Sequence, residues 1–183
     1  YQLYAKHHPT FTADDIYNLS KELDTVIYFE ALSEVSVRVS HDLFISKEMI
    51  PFDTDAVDRA INSFLSKDYI RIREIDSFLI FPNVGYEWNE YLLESFLLSY
   101  SKKFALVNNG LSLNNVAGFV VKKSGQINDF IDACAAFLAD GRIELKKVDA
   151  LNYLADMNVI SRRSYKDIDL ALRRAAQIRR RKE

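Results

Sequence analysis

From Trp88 to Val107 the chain reads WNEYLLESFLLSYSKKFALV, with apolar residues at Leu92, Leu93, Phe96, Leu97, Tyr100 and Phe104. A helix lying on a protein surface needs one apolar stripe, whereas this pattern covers much of the circumference. The segment is therefore expected to form a long central helix, buried by neighbours on more than one side.

The flanking segments supply elements to cover it. Thr12 can cap a helix carrying Asp14, Asp15, Ile16, Leu19 and Leu23, and acidic residues in a first turn suit the positive end of the helix dipole. Val35, Val37 and Val39 alternate with Ser36, Arg38 and Ser40, the period of a half-buried strand, with a helix up to Leu32 as its competitor. After Pro51, Asp53 or Thr54 can start a helix whose apolar stripe is Val57, Ile61, Phe64 and Leu65. YIRIREIDSFLIF then offers two β-like runs around Asp76 and Ser77, a helix followed by a hairpin as in winged-helix elements. That arrangement serves nucleic-acid recognition in some proteins and protein docking in others, so it does not select a partner.

NNGLSLNN at 108–115 is a turn-rich break, and DFIDACAAFLADG forms a further helix that Gly141 is expected to end in the left-handed conformation. AINSFLSKDYI at 60–70 and ALNYLADMNVI at 150–160 echo one another as a helix leading into an extended end. The expected fold is predominantly α with a small β-hairpin, a winged-helix-like element plus a helical bundle in the α+β class. Two regions are drawn: 1–107, winged-helix-like with the long central helix, and 108–183, helical with a basic terminal helix.

Composition removes several classes of function. A chain of 183 residues, 49% hydrophobic with 5 Gly and 3 Pro, buries a core without cross-links and is too apolar to be disordered. Its one cysteine, Cys134, lies among apolar neighbours and reads as a buried, inert thiol. No apolar run reaches the length of a membrane span, so stable membrane insertion is not expected, and the chain is placed in the cytoplasm. Because it opens on Tyr1, it is read as part of a larger protein or complex.

No reaction chemistry is assigned. His7 and His8 are adjacent and His41 stands alone, without metal-ligand spacing, so all three are read as surface or capping residues. The carboxylates Asp14, Asp15, Asp53, Asp55, Asp167 and Asp169 lack the spacing of a calcium loop. Lys122–Lys123 and Lys146–Lys147 lack a phosphate-cradling glycine cluster and read as solvated charges. No catalytic residue, metal site or cofactor is expected.

The end of the chain is different. From Asn158 to Glu183 nine cations, Arg162, Arg163, Lys166, Arg173, Arg174, Arg179, Arg180, Arg181 and Lys182, face three acids, a local charge of +6 in a chain of net charge −2. On a helix starting near Ser164, Ile168, Leu172, Ala175 and Ile178 or Ala176 form an apolar side and the arginines spread over the rest. The expectation is a noncatalytic interaction or regulatory module that docks on a protein partner, or on another domain of the same polypeptide, through helical surfaces and this basic helix. The alternative is a DNA- or RNA-binding module that adds Arg71 and Arg73 of the hairpin, and the third reading is an accessory region of a larger enzyme.

Overall fold

A computed structural model describes residues 1–182. The molecule is predominantly helical, with two three-stranded antiparallel sheets. The first sheet belongs to α1 (Gln2–His7), β1 (Thr10–Thr12), α2 (Ala13–Glu22), α3 (Phe29–Val35), β2 (Ser36–Arg38) and β3 (Leu43–Ser46). Thr12 caps α2 as expected: its Oγ1 accepts from the Asp15 amide and the Asp15 carboxylate accepts from the Thr12 amide, a reciprocal capping box. β2 and β3 form a hairpin, but β2 is buried on both faces instead of half-buried. Val37 points into an apolar cluster, the Ser36 hydroxyl bonds back to the Leu32 carbonyl, and Arg38 is covered by a later helix.

The second sheet repeats the plan. α4 (Thr54–Asn62), capped by Asp53, leads to β4 (Tyr69–Arg71), a 3-10 turn at Ile72–Glu74, α5 (Glu90–Ser99), β5 (Phe104–Val107) and β6 (Phe119–Lys122). In both sheets the third strand lies between the first and the second. The repeated pattern therefore relates 2–46 to 54–122. The echoed segments behave differently from one another: α4 runs into β4, whereas α7 (Lys147–Asp156) runs into turns.

Two local expectations fail for identifiable reasons. The run Phe78–Phe81 forms a turn, with the Phe81 amide bonded to the Phe78 carbonyl, because both rings turn inward onto Trp88. β4 takes its partner from β6 instead. The central helix also ends early. Asp58, 1% exposed on α4, accepts bonds from the Ser101 hydroxyl and the Lys102 and Lys103 amides, at 2.6, 3.0 and 3.2 Å. Those two amides would otherwise continue the helical ladder, so the chain leaves the helix and Phe104–Val107 becomes a strand.

α5 is nonetheless central and buried, with Leu92, Leu93 and Phe96 fully enclosed. β6 joins the two halves of the core. Val120 faces the cluster of α4 and α5, while Phe119 and Val121 face α6 (Phe130–Asp140), α7 and α8 (Ile168–Lys182). A strand buried on both faces reads as a continuous apolar run, which is what FVV provides.

Candidate functional site

The basic helix α8 packs along α6 through Ile168, Ala171 and Ala175. Alanines at two of these buried positions let the helix axes approach, and that brings the arginines of α8 within reach of α6. Arg174 pairs with Asp132 at 2.6 Å. Arg179 lies past the end of α6 and donates to four carbonyls, those of Leu138, Ala139, Gly141 and Ile143, at 2.7 to 3.1 Å. Carbonyls at a helix C-terminus have no partner within the helix, and a guanidinium supplies both the donors and a charge of the right sign. Gly141 ends α6 in extended backbone, φ −72°, rather than left-handed, because Arg179 performs the capping that a left-handed turn would perform. A Cβ on Gly141 would lie 3.0 Å from the Tyr153 ring, so its small size is used for packing.

At the same end of α6, Asp140 accepts from Lys182 at 2.6 Å, Lys67 at 2.9 Å and the Tyr69 hydroxyl at 2.9 Å. Burial acts to raise the pKa of this carboxyl, but the bonds from Lys182, Lys67 and Tyr69 outweigh it and lower the value to about 2. Burial and the bond to Asp140 push the Tyr69 phenol up. A cleft of about 300 Å³ opens beside this group, floored by Phe64, Ile70, Phe137 and Tyr153. With three donors on the carboxylate, the group is an electrostatic tie between the α4–β4 turn, β4, α6 and α8.

Comparison with protein-family models, curated proteins and solved structures finds no match.

The expected cations divide into two sets. Six are engaged: Arg174, Arg179 and Lys182 on α6, Arg163 with Asp156 at 3.3 Å, Arg71 with Glu74 and the Met157 carbonyl, and Arg73 with Glu90 at 3.0 Å. Arg162, Lys166, Arg173, Arg180 and Arg181 are exposed and, among the described residues, make no ion pair. Arg71 is thus held at the end of α7 and Arg73 on α5.

The other residues singled out from sequence are also placed. Cys134 is fully buried, and burial pushes its thiol up. The His8 ring stacks on Tyr4 at the end of α1, with its Nδ1 3.1 Å from the Tyr4 carbonyl, while His41 lies edge-on to Tyr91. Lys123 donates to the Ser101 carbonyl at 2.8 Å, and Lys146 pairs with Glu144. Among the described residues no group of three or more His, Cys, Asp or Glu is placed to hold a metal ion, and no helix is long and apolar enough to cross a membrane.

Sequence reasoning missed two features. Leu79 and Ile80, read as part of a strand, are 94% and 60% exposed at the tip of the 78–81 turn. Arg38 and Glu94 are each 6% exposed, beneath the 108–115 loop. The alternation around Val37 places Arg38 on the solvent side, and Glu94 lies in a helix whose polar face is hidden by the other unit.

Proposed function

We propose that this chain is a noncatalytic interaction module that docks on a protein surface, either on a separate chain or on another domain of its own polypeptide. The observation that carries this reading is the pair Leu79 and Ile80. Two large aliphatics stand in solvent on a turn whose base, Phe78 and Phe81, is packed against Trp88. Exposed aliphatics are ordinary when single and loose, but a rigidly presented pair gains binding free energy with little ordering cost. Arg173, Arg180 and Arg181 on α8, which make no ion pair among the described residues, add a charged surface suited to steering towards an acidic partner.

The test is site-specific photocrosslinking in the native polypeptide, with the crosslinker at Leu79, at Arg181 and, as a control, at exposed Glu22. Crosslinks to one protein or domain from Leu79 and not from Glu22, lost in Leu79→Ser/Ile80→Ser, support docking. No adduct beyond the control level at Leu79 overturns it.

A nucleic-acid-binding module is the second reading. It is favoured by the repeated helix-and-sheet plan, which resembles winged-helix elements, and by the five cations that make no ion pair among the described residues. Against it, α5 is enclosed from Leu92 to Leu97, so the helix that precedes the β5–β6 pair is not free to enter a groove. Anisotropy with duplex DNA, single-stranded DNA and structured RNA distinguishes the readings. If Arg180 and Arg181 contact duplex phosphates, Arg180→Ala/Arg181→Ala should reduce the log–log salt slope by about 1.8.

A further inference from the structure

Two surfaces of opposite chemistry lie near the two ends of the chain, and they do not meet within the molecule. Residues 13–34, which hold α2, the turn after it and most of α3, carry six carboxylates, Asp14, Asp15, Glu22, Asp24, Glu30 and Glu34, against the single cation Lys21. All six are exposed, and among the described residues none forms an ion pair. Tyr17, Leu23, Val26 and Tyr28 stand among them, each more than half exposed. A cleft of about 170 Å³ opens here, lined by Ile16, Leu19, Leu23, Val26 and Tyr28. Single exposed apolar residues are ordinary, whereas three that share one cleft form a patch.

α8 is the reverse. It carries six cations, Arg173, Arg174, Arg179, Arg180, Arg181 and Lys182, against Asp169 alone. Arg174, Arg179 and Lys182 are engaged with α6, while Arg173, Arg180 and Arg181 follow one another with Gln177 down an exposed side of the helix. A guanidinium binds a carboxylate through paired hydrogen bonds and lies against an aromatic ring, and its stem covers aliphatic surface. The molecule makes such ring contacts itself: the Arg38 guanidinium lies 4.1 Å from the centre of the Tyr91 ring, and the Lys21 ammonium 4.2 Å from that of Tyr17. Tyrosine, aliphatic side chains and carboxylates exposed together therefore suit an arginine-bearing helix.

We propose that the exposed side of α8 docks on the α2–α3 edge of a second copy of this chain. Charge complementarity selects that occupant, because the chain carries both halves of the contact in equal and opposite measure. Within one molecule Arg173, Arg180 and Arg181 make no ion pair with these carboxylates, so the contact forms between molecules. It joins two different surfaces, and copies associate head to tail. The inference rests on the docking reading above for α8, whose acidic partner it identifies; Leu79 and Ile80 take no part.

Sedimentation velocity over a concentration series into the millimolar range reads the association. The weight-average coefficient of the wild-type chain should rise with concentration at about 0.1 M salt and lose that rise at about 1 M, as the Debye length falls from about 10 Å to about 3 Å. Two charge-reversed chains, Arg173→Glu/Arg180→Glu/Arg181→Glu and Glu22→Lys/Asp24→Lys/Glu30→Lys, should each stay monomeric. Their mixture should associate again, since each reversed surface complements the other. All six positions are exposed, and circular dichroism verifies the folds. A photocrosslinker at Tyr28, in a mixture of ¹⁴N and ¹⁵N chains of otherwise native sequence, should give adducts to α8 that carry both labels, which decides the matter if a reversed chain misfolds. A wild-type chain monomeric at every concentration, association unchanged by either reversal, or adducts confined to one label would overturn the proposal. So would a monomeric chain whose three arginines bind duplex DNA instead. The outcomes are separable from those at Leu79, because an adduct formed at this edge is a copy of the chain itself, whatever Leu79 captures.

Discussion

Arg179 on α8 donates from Nη2 to the carbonyl of Gly141, 2.7 Å away and just beyond the end of α6. Together with its bonds to Leu138, Ala139 and Ile143, this makes one arginine of the basic terminal helix the cap of a different helix.

Replacing Arg179 should therefore unfold the protein more easily than replacing its exposed neighbours. Arg179→Ala strands up to four carbonyls and is expected to cost about 2 to 3 kcal/mol, with Arg179→Lys recovering only part, since an ammonium lacks the planar fork. Arg180→Ala and Arg173→Ala are expected to fall within about 0.5 kcal/mol of wild type. Urea denaturation of the four variants checks the ranking, and equal midpoints would refute it.

Asp58 carries a similar load inside the second unit. Its carboxylate accepts the Ser101 hydroxyl and the amides of Lys102 and Lys103, and its removal leaves one buried and two part-buried donors without that partner. Asp58→Ala is expected to cost about 3 kcal/mol or more. Because the same bonds stop α5 at Ser99, the exchange protection of residues 100–104 should fall further than that of α6.

Acid should act through Asp140. Its folded pKa of about 2 lies below the ordinary aspartate value, so the carboxylate stabilises the fold above about pH 4 and that stability is lost as pH falls from 4 towards 2. The side chain is 28% exposed, and screening reduces the effect to roughly 1 kcal/mol. In Asp140→Asn the loss of stability between pH 4 and pH 2 should be smaller by that amount, measured by thermal melts in matched salt.

Glu94 gives the opposite slope. Its folded pKa of about 7 is above the unfolded value, so its contribution favours the fold at low pH and is progressively lost as pH rises from about 4.5 through 7. The shift corresponds to at most about 3 kcal/mol at pH 8. Glu94→Gln should therefore become stabilised relative to wild type as pH rises from 5 to 8, and parallel stability curves for the two chains would show that the carboxyl is not held neutral.

Periodicity and local chemistry made much of the helical framework legible. The box at Thr12, the cap at Asp53, the buried helix around Leu93 and the apolar side of α8 are consequences of neighbours within a few residues, and those are printed in the sequence. Tertiary partners decided the rest. Phe78–Phe81 had strand composition, but its rings found Trp88, and β4 found β6 some 50 residues away. The nine cations were visible as a cluster, yet the approach of α8 to α6 determined that Arg174, Arg179 and Lys182 would be consumed inside the molecule while Arg173, Arg180 and Arg181 remain outside. Charge is a property of the residue and is set by sequence. Whether that charge meets a carbonyl, a carboxylate or solvent depends on distances between segments remote along the chain, and only the packed fold sets those.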